Sequence, residues 1–221
     1  MAPLRPIAHP GQSDVLVHFT SRGRPTASNR FADLTAEQRL TAIMEQQTLI
    51  ASPPYRSSTP VVCLSESGPD GVAALIRGSG WAPWGVVLDR QWVWDQGGGP
   101  VWYVRDDLDA DVRDRLGGTT DAWLVRTEPG HSDWLHEREW RIPRSWADPS
   151  LHLDETAVVA LLVGDPRWGT GLVHTMDVSP FTGGMAEVLQ THTPYPVPRW
   201  WWDGSELHEI DEVPVETIYL P

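Results

Sequence analysis

Glu137 and Glu139 stand two residues apart in the segment Trp134-Leu135-His136-Glu137-Arg138-Glu139-Trp140-Arg141-Ile142-Pro143. In an extended chain alternate side chains point to opposite faces. Leu135, Glu137, Glu139 and Arg141 therefore share one face, and Trp134, His136, Arg138, Trp140 and Ile142 share the other. Two carboxylates at this spacing lie within roughly 7 Å of one another. On the wall of a cleft, mutual repulsion and partial burial raise the pKa of one of them. Arg141, two residues on along the same face, is the expected ionic partner of Glu139. An ionised carboxylate is what a sugar centre of oxocarbenium character needs, as in glycoside chemistry. Glu139 is the candidate catalytic carboxylate, since it lies nearer the strand centre, with Arg138 and Trp140 anchoring the strand from the far face. Glu137 supports it. The same pattern also describes the solvent face of an edge strand whose glutamates pair with arginines on a neighbour.

Other residues suit the binding of a ribose or a planar ring. Val15, Val17 and Phe19 alternate with Leu16, His18 and Thr20, which predicts a first strand with His18 and Thr20 on one face. Both side chains can hydrogen-bond sugar hydroxyls; a histidine satisfied by backbone is the plainer reading. Ser65 and Ser67 close a second apolar strand and suit either a ligand contact or a turn. Trp81 and Trp84 are able to stack on a planar ring or to pack in the core.

Composition removes several chemistries. The 221-residue chain has no lysine and a single cysteine, Cys63. That excludes a lysine Schiff base, a phosphate-loop lysine, an internal disulfide and a multi-cysteine zinc site. Cys63 itself, within an apolar strand, reads as an inert core thiol. His131 and His136 do not have the spacing of the helical zinc motif, and no Gly-x-Ser-x-Gly elbow is present. Gly97-Gly98-Gly99-Pro100 precedes a strand rather than opening a helix, so it is no phosphate loop. The net charge of −13 argues against an extended nucleic-acid surface. No run of apolar residues is long enough for a membrane helix, and the polar, proline-rich start lacks a secretory core, so a cytoplasmic location without membrane attachment is expected.

The elements that must position these residues follow from periodicity. A helix is predicted over 35–50, with Thr35 as cap and Gln38 at the capping-box position. Strands are predicted at 61–65, 85–88, 101–104, 134–142, 156–163 and 215–219, short helices at 69–76 and 109–116, and a hairpin-like turn at Arg199-Trp200-Trp201-Trp202-Asp203-Gly204. Ser21 to Asn29 reads as a loop carrying Arg22 and Arg24. Three consecutive tryptophans cannot all face one core, so at least one should be exposed or covered by another chain. Strands outnumber helices at irregular spacing. The expected class is α+β, a single domain with a split, mixed or antiparallel sheet and flanking helices. Residues 195–221 are expected to form a tryptophan-rich extension packed on the core.

The order of short motifs is also informative. A His18-Phe19-Thr20 strand, an amphipathic helix, Val62-Cys63-Leu64-Ser65-Glu66, Trp84-Gly85-Val86-Val87, Pro100-Val101-Trp102-Tyr103 and Glu137-Arg138-Glu139-Trp140-Arg141 follow one another. This order resembles the AbiGi-like proteins of abortive phage infection and, more distantly, the DarT-type ADP-ribosyltransferases, over residues 14–165. The resemblance implies an ADP-ribosyltransferase-like fold with NAD as substrate and a protein or a nucleic-acid base as acceptor. It places His18, with Thr20 beside it, against the NAD ribose, Ser65 on the second strand, and Glu137 and Glu139 at the catalytic position. Trp84 is the ring-stacking candidate. The glutamate would hold the ribose 2'-hydroxyl and stabilise the oxocarbenium while the nicotinamide bond breaks. The alternative is a catalytically inactive module of the same fold that binds a nucleotide or a partner protein.

Overall fold

The computed structural model describes residues 12–21, 33–178, 183 and 185–210. Along the chain run β1 (Val15–Phe19), α1 (Ala36–Gln46), β2 (Thr48–Ile50), β3 (Val61–Ser65), α2 (Pro69–Ser79), β4 (Gly85–Asp89), α3 (Arg90–Asp95), β5 (Gly99–Pro100) and β6 (Trp102–Arg105). They are followed by α4 (Asp106–Leu116), β7 (Leu124–Thr127), β8 (Glu139–Pro143), β9 (Ser150–His152), β10 (Val158–Val163), β11 (Gly171–Val178), β12 (Met185–His192), β13 (Arg199–Trp202) and β14 (Leu207–Ile210). The fold is α+β, as expected. The sheet is not divided in two: eight strands run in the single order β14-β13-β10-β4-β1-β3-β8-β5, and β2–β9, β6–β7 and β11–β12 form separate two-stranded ladders. Among the described residues, β10 and β13 are the one parallel pair of the large sheet, which makes it mixed. Arg22, Arg24 and the strand expected over 215–219 lie outside the described residues. Among the described residues no helix is long and apolar enough to cross a membrane.

Local chemistry explains the boundaries. Thr35 and Gln38 form the predicted capping box, each side chain bonding the other's backbone N–H (2.9 and 3.1 Å). The helix ends earlier than 35–50 would have it. Gln47 adopts a left-handed conformation (φ 48°) that stops α1, and residues 48–50 become β2, paired with β9. Two of those three residues, Thr48 and Ile50, are β-branched and favour a strand. Gly85 lets β4 approach β1: a Cβ there would meet the His18 carbonyl oxygen at 2.5 Å.

Both faces of the sheet are covered at its centre, and unequally at one end. On one face Leu16, Val62, Leu64, Val86, Leu88, Trp140 and Ile142 pack with Leu40 and Met44 of α1 and Trp92 of α3. On the other, Val17, Phe19, Val87, Ala160, Leu162 and Trp200 pack with Val72 and Leu75 of α2. On this second face the neighbouring strands β3 and β8 carry Cys63, Ser65, Glu139 and Arg141 in place of an apolar surface, and these residues line a cavity.

The tryptophan tail is a working part of the sheet rather than an appendage. β13 pairs with β10 and β14 with β13. Trp200 packs into the α2-side core and Trp201 against the α1-side core, so the alternation of a strand is met by apolar cover on both faces. Trp202 is buried as well, with the Arg77 guanidinium 5.9 Å from its ring centroid. None of the three is fully exposed: Trp200 and Trp202 are buried and Trp201 is half-buried, because β13 lies inside the sheet with apolar side chains on both of its faces.

Candidate functional site

The cavity has a volume of about 660 Å³, within the range of small-molecule sites. Its floor is the edge region β1-β3-β8. Val17 of β1 lies opposite Ser65 of β3, and Ser65 and Cys63 lie opposite Glu139 and Arg141 of β8. Pairing at these positions puts Ser65, Cys63, Glu139 and Arg141 side by side on one face.

The strand expected over 134–142 begins only at Glu139. Leu135–Glu137 forms a single 3₁₀ turn, and Arg138 then adopts a left-handed conformation (φ 46°). Glu137 therefore does not reach the cavity by strand alternation. It arrives on the turn, is 7% exposed, and lines the same cavity as Glu139. Two hydroxyls hold this geometry. Ser65 Oγ donates to the Glu137 carbonyl at 2.6 Å and lies 3.1 Å from Ser67 Oγ. Tyr103 Oη accepts the Glu139 N–H at 2.9 Å and donates to the Trp134 carbonyl at 3.4 Å. Tyr103 is a positioning residue that sequence reading missed, because nothing in a tyrosine at the end of one segment signals a bond to a backbone 36 residues away.

Glu139 and Arg141 form a two-pronged ion pair. Arg141 Nε donates to Glu139 Oε1 at 2.8 Å and Nη2 to Oε2 at 3.3 Å, while Nη1 donates to the Ala122 carbonyl at 2.7 Å. Arg141 is 4% exposed, so the pair is shielded on the Arg141 side and opens to the cavity at Glu139. The bonds of this pair agree with the cation expected beside Glu139. Cys63 lies on the cavity face and not in the core as expected; strand alternation puts Val62 and Leu64, not Cys63, into the core. Solvent reaches the thiol from the cavity, yet enclosure by protein on its other sides, reinforced by the Glu139 charge, pushes its pKa up. Its inertness is thus one of ionisation.

The other predicted binding residues separate. His18 lines the cavity, but strand alternation gives it the opposite face from Val17 and Ser65. Its Nδ1 is 2.9 Å from the Cys63 carbonyl; a carbonyl only accepts, so Nδ1 carries the proton and Nε2 is an acceptor in the neutral ring. Thr20 lies just past β1 and off the cavity. Its hydroxyl bonds the Ala36 and Trp84 carbonyls at 2.7 and 3.1 Å, tying the strand to α1, so it has no free donor for a sugar. Trp84 also lies off the cavity: it packs edge-to-face on Trp168 with ring centroids 6.0 Å apart and against Gly164. Trp81, stacked on Phe19 at 4.9 Å, is the tryptophan of that pair that lines the cavity, together with Trp134 and Tyr55. No cluster of three or more histidine, cysteine, aspartate or glutamate side chains among the described residues is arranged to hold a metal ion.

Two results follow. Tyr103→Phe leaves the Glu139 N–H without its partner and should cost about 1–3 kcal/mol of stability; an unchanged urea midpoint would refute the clasp. Burial lowers the His18 pKa below its ordinary 6.5, against a smaller upward effect of the Cys63 carbonyl. The unfolded chain then binds a proton at pH values where the native ring does not. Native stability is therefore full above pH 6.5 and falls below it, by at most about 1.4 kcal/mol per pH unit from this group. Urea unfolding at pH 7.5 and 5.5 should show a larger loss for the wild type than for His18→Asn; equal losses would contradict the assignment.

Comparison of the chain with protein families, with curated proteins and with solved structures gives no match. The functional reading accordingly rests on the cavity.

Proposed function

We propose that this cavity is the active site of an NAD-dependent mono-ADP-ribosyltransferase, acting as a toxin or phage-defence effector on a protein or a nucleic-acid base. The observation that carries the reading is that Glu137 and Glu139 line one cavity together with Ser65 and His18. The cavity's volume and its lining of accepting carboxylates, donating arginines and aromatic rings suit a ribosyl dinucleotide. NAD supplies the nicotinamide–ribose bond to be broken. Glu139 accepts the ribose 2'-hydroxyl and opposes the positive charge that builds on the sugar. Arg141 fixes the direction of the Glu139 carboxylate, so no reorganisation is needed as that charge appears. Ser65 holds the 3₁₀ turn and with it Glu137, whose carboxylate adds to the negative potential.

One observation favours the second reading, a non-catalytic module that binds a nucleotide or a partner protein. Both Glu139 oxygens already accept hydrogen bonds from Arg141, and a ligand hydroxyl must use the remaining lone pairs. Incubation with nicotinamide-labelled NAD decides between the two. Release of nicotinamide that depends on Glu139 establishes the enzyme. Binding without release, equal in wild type and Glu139→Gln, establishes the module.

A further inference from the structure

We infer that Arg56 and Arg126, with the Tyr55 ring beside them, form an anion subsite that takes the phosphate groups of a nucleoside diphosphate; the placement of that ligand's sugar rests on the reading of Glu139 above. The chain carries a net charge of −13, yet four of its arginines, Arg56, Arg113, Arg126 and Arg141, line this one cavity against the two carboxylates Glu137 and Glu139. Asp106, Asp109 and Glu139 pair with these arginines, so what the cavity offers an anion is not net charge but guanidinium N–H groups left over from those pairs.

Two of the four guanidinium groups are spent. Arg141 is committed to Glu139 and Ala122. Arg113 bonds Asp109 at 2.9 Å and the carbonyls of Arg56, Asp121 and Leu124. The other two are not. Arg56 contacts Asp109 through Nη1 at 3.0 Å, and Arg126 contacts Asp106 through Nη1 at 2.8 Å. The Arg56 contact is an ion pair without hydrogen-bond geometry, Arg126 makes no hydrogen bond to the described residues beyond that to Asp106, and their side chains are 40% and 33% exposed. Each therefore keeps most of a planar donor fork, the geometry that matches phosphate oxygens.

The forks are held in place before any ligand arrives. Asp109, fully buried, anchors Arg56, and Asp106 anchors Arg126. The Arg126 guanidinium lies 5.6 Å from the Tyr55 ring centroid, a cation–π contact that restricts the fork's orientation. The loop bearing Tyr55 and Arg56 is itself fastened. Ser58 N–H and Thr59 Oγ1 donate to Asp121 at 2.8 and 2.9 Å, and Trp146 Nε1 donates to the Ser58 carbonyl at 2.9 Å.

This end of the cavity is connected to the carboxylate end. The Leu124 carbonyl accepts from Arg113 at 3.1 Å and from Arg141 at 3.5 Å. A chain of polar contacts therefore runs along one wall, from Glu139 through Arg141, Leu124 and Arg113 to Asp109 and Arg56. In a ribosyl diphosphate the phosphates and the anomeric carbon lie on opposite sides of a single sugar ring. Phosphates at Arg56 and Arg126 direct that ring toward Glu139.

Calorimetry of the full chain with ADP, inorganic pyrophosphate and adenosine tests the subsite. ADP and pyrophosphate should bind with affinities that fall as salt is raised, adenosine at least tenfold more weakly than ADP. Arg126→Gln should weaken ADP roughly ten- to a hundredfold while leaving adenosine unchanged. Its partner pair with Asp106 is half-exposed, so the fold tolerates the change. Tyr55→Leu, at a highly exposed position, is the second variant and should weaken ADP severalfold. ADP binding no tighter than adenosine binding, or unchanged in Arg126→Gln, overturns the subsite. Nicotinamide release measured on the same samples separates the two proposals. Release with ADP binding indifferent to Arg126 removes the subsite and leaves the enzyme. ADP binding dependent on Arg126 without release keeps the subsite and removes the enzyme.

Discussion

Glu139→Gln should lower nicotinamide release ~100- to 1,000-fold, the usual loss when one well-placed electrostatic contact to a developing charge is removed. Glutamine keeps the shape of the side chain and one acceptor oxygen but loses the charge. Glu137→Gln should have a smaller effect, because Glu137 stands on the turn beside the strand rather than on the strand itself. The sequence alone suggests little change in folding for either variant. The structure revises this for Glu139. Arg141 is nearly buried and two of its nitrogens rest on the Glu139 carboxylate. Removing that charge leaves a poorly solvated cation, and such a loss costs about 3–5 kcal/mol in a fully buried pair. Solvent reaches the present pair through the cavity, so a cost of order 1–3 kcal/mol is expected. Turnover must therefore be compared well below the melting temperature of the variant, with circular dichroism as the check on fold. Turnover of folded Glu139→Gln close to that of the wild type would refute the assignment.

Truncation before Tyr195 should abolish the native fold. The removed segment contributes Tyr195, Trp200 and Trp202, all buried, and Arg199, which is 2% exposed and bonds the Pro166 carbonyl at 2.6 Å. Tyr195 also donates to the Leu153 carbonyl at 2.8 Å inside the α1-side core. Deleting one large buried aromatic side chain costs about 3–5 kcal/mol, and three together reach the whole stability of a typical domain, about 5–15 kcal/mol. The truncation further strips β13 from β10, leaving the apolar strand Val158–Val163 as an open edge, which invites pairing with other chains. Insoluble protein, or a soluble product without near-ultraviolet dichroism, is the expected result. A monomeric, cooperatively unfolding product would show that the tail is dispensable.

What sequence by itself decides here is local. The alternation of Val15 to Phe19 and the apolar run of Val61 to Ser65 specify strands, and Thr35 with Gln38 specifies the start of α1, because period and capping are properties of neighbouring residues. The pairing of Glu139 with Arg141 is equally local, since residues two apart on a strand share a face. The absence of lysine excludes its chemistries without any fold at all. Tertiary structure decides the rest, since it depends on which distant segments meet. Glu137 keeps its place beside Glu139 on a 3₁₀ turn that Ser65, 72 residues away, holds by one hydrogen bond; periodicity carries no trace of that. Thr20 and Trp84 carry suitable chemistry, but the packing of α1 and of Trp168 claims them. Cys63 changes from core to cavity because an apolar-looking strand has two faces, and only the neighbours on each face decide which is covered. Arg56, Arg126 and Tyr55 come from the loop after β2 and from β7, and their convergence follows from two buried or half-buried aspartates on α4 that no single segment of sequence places beside them.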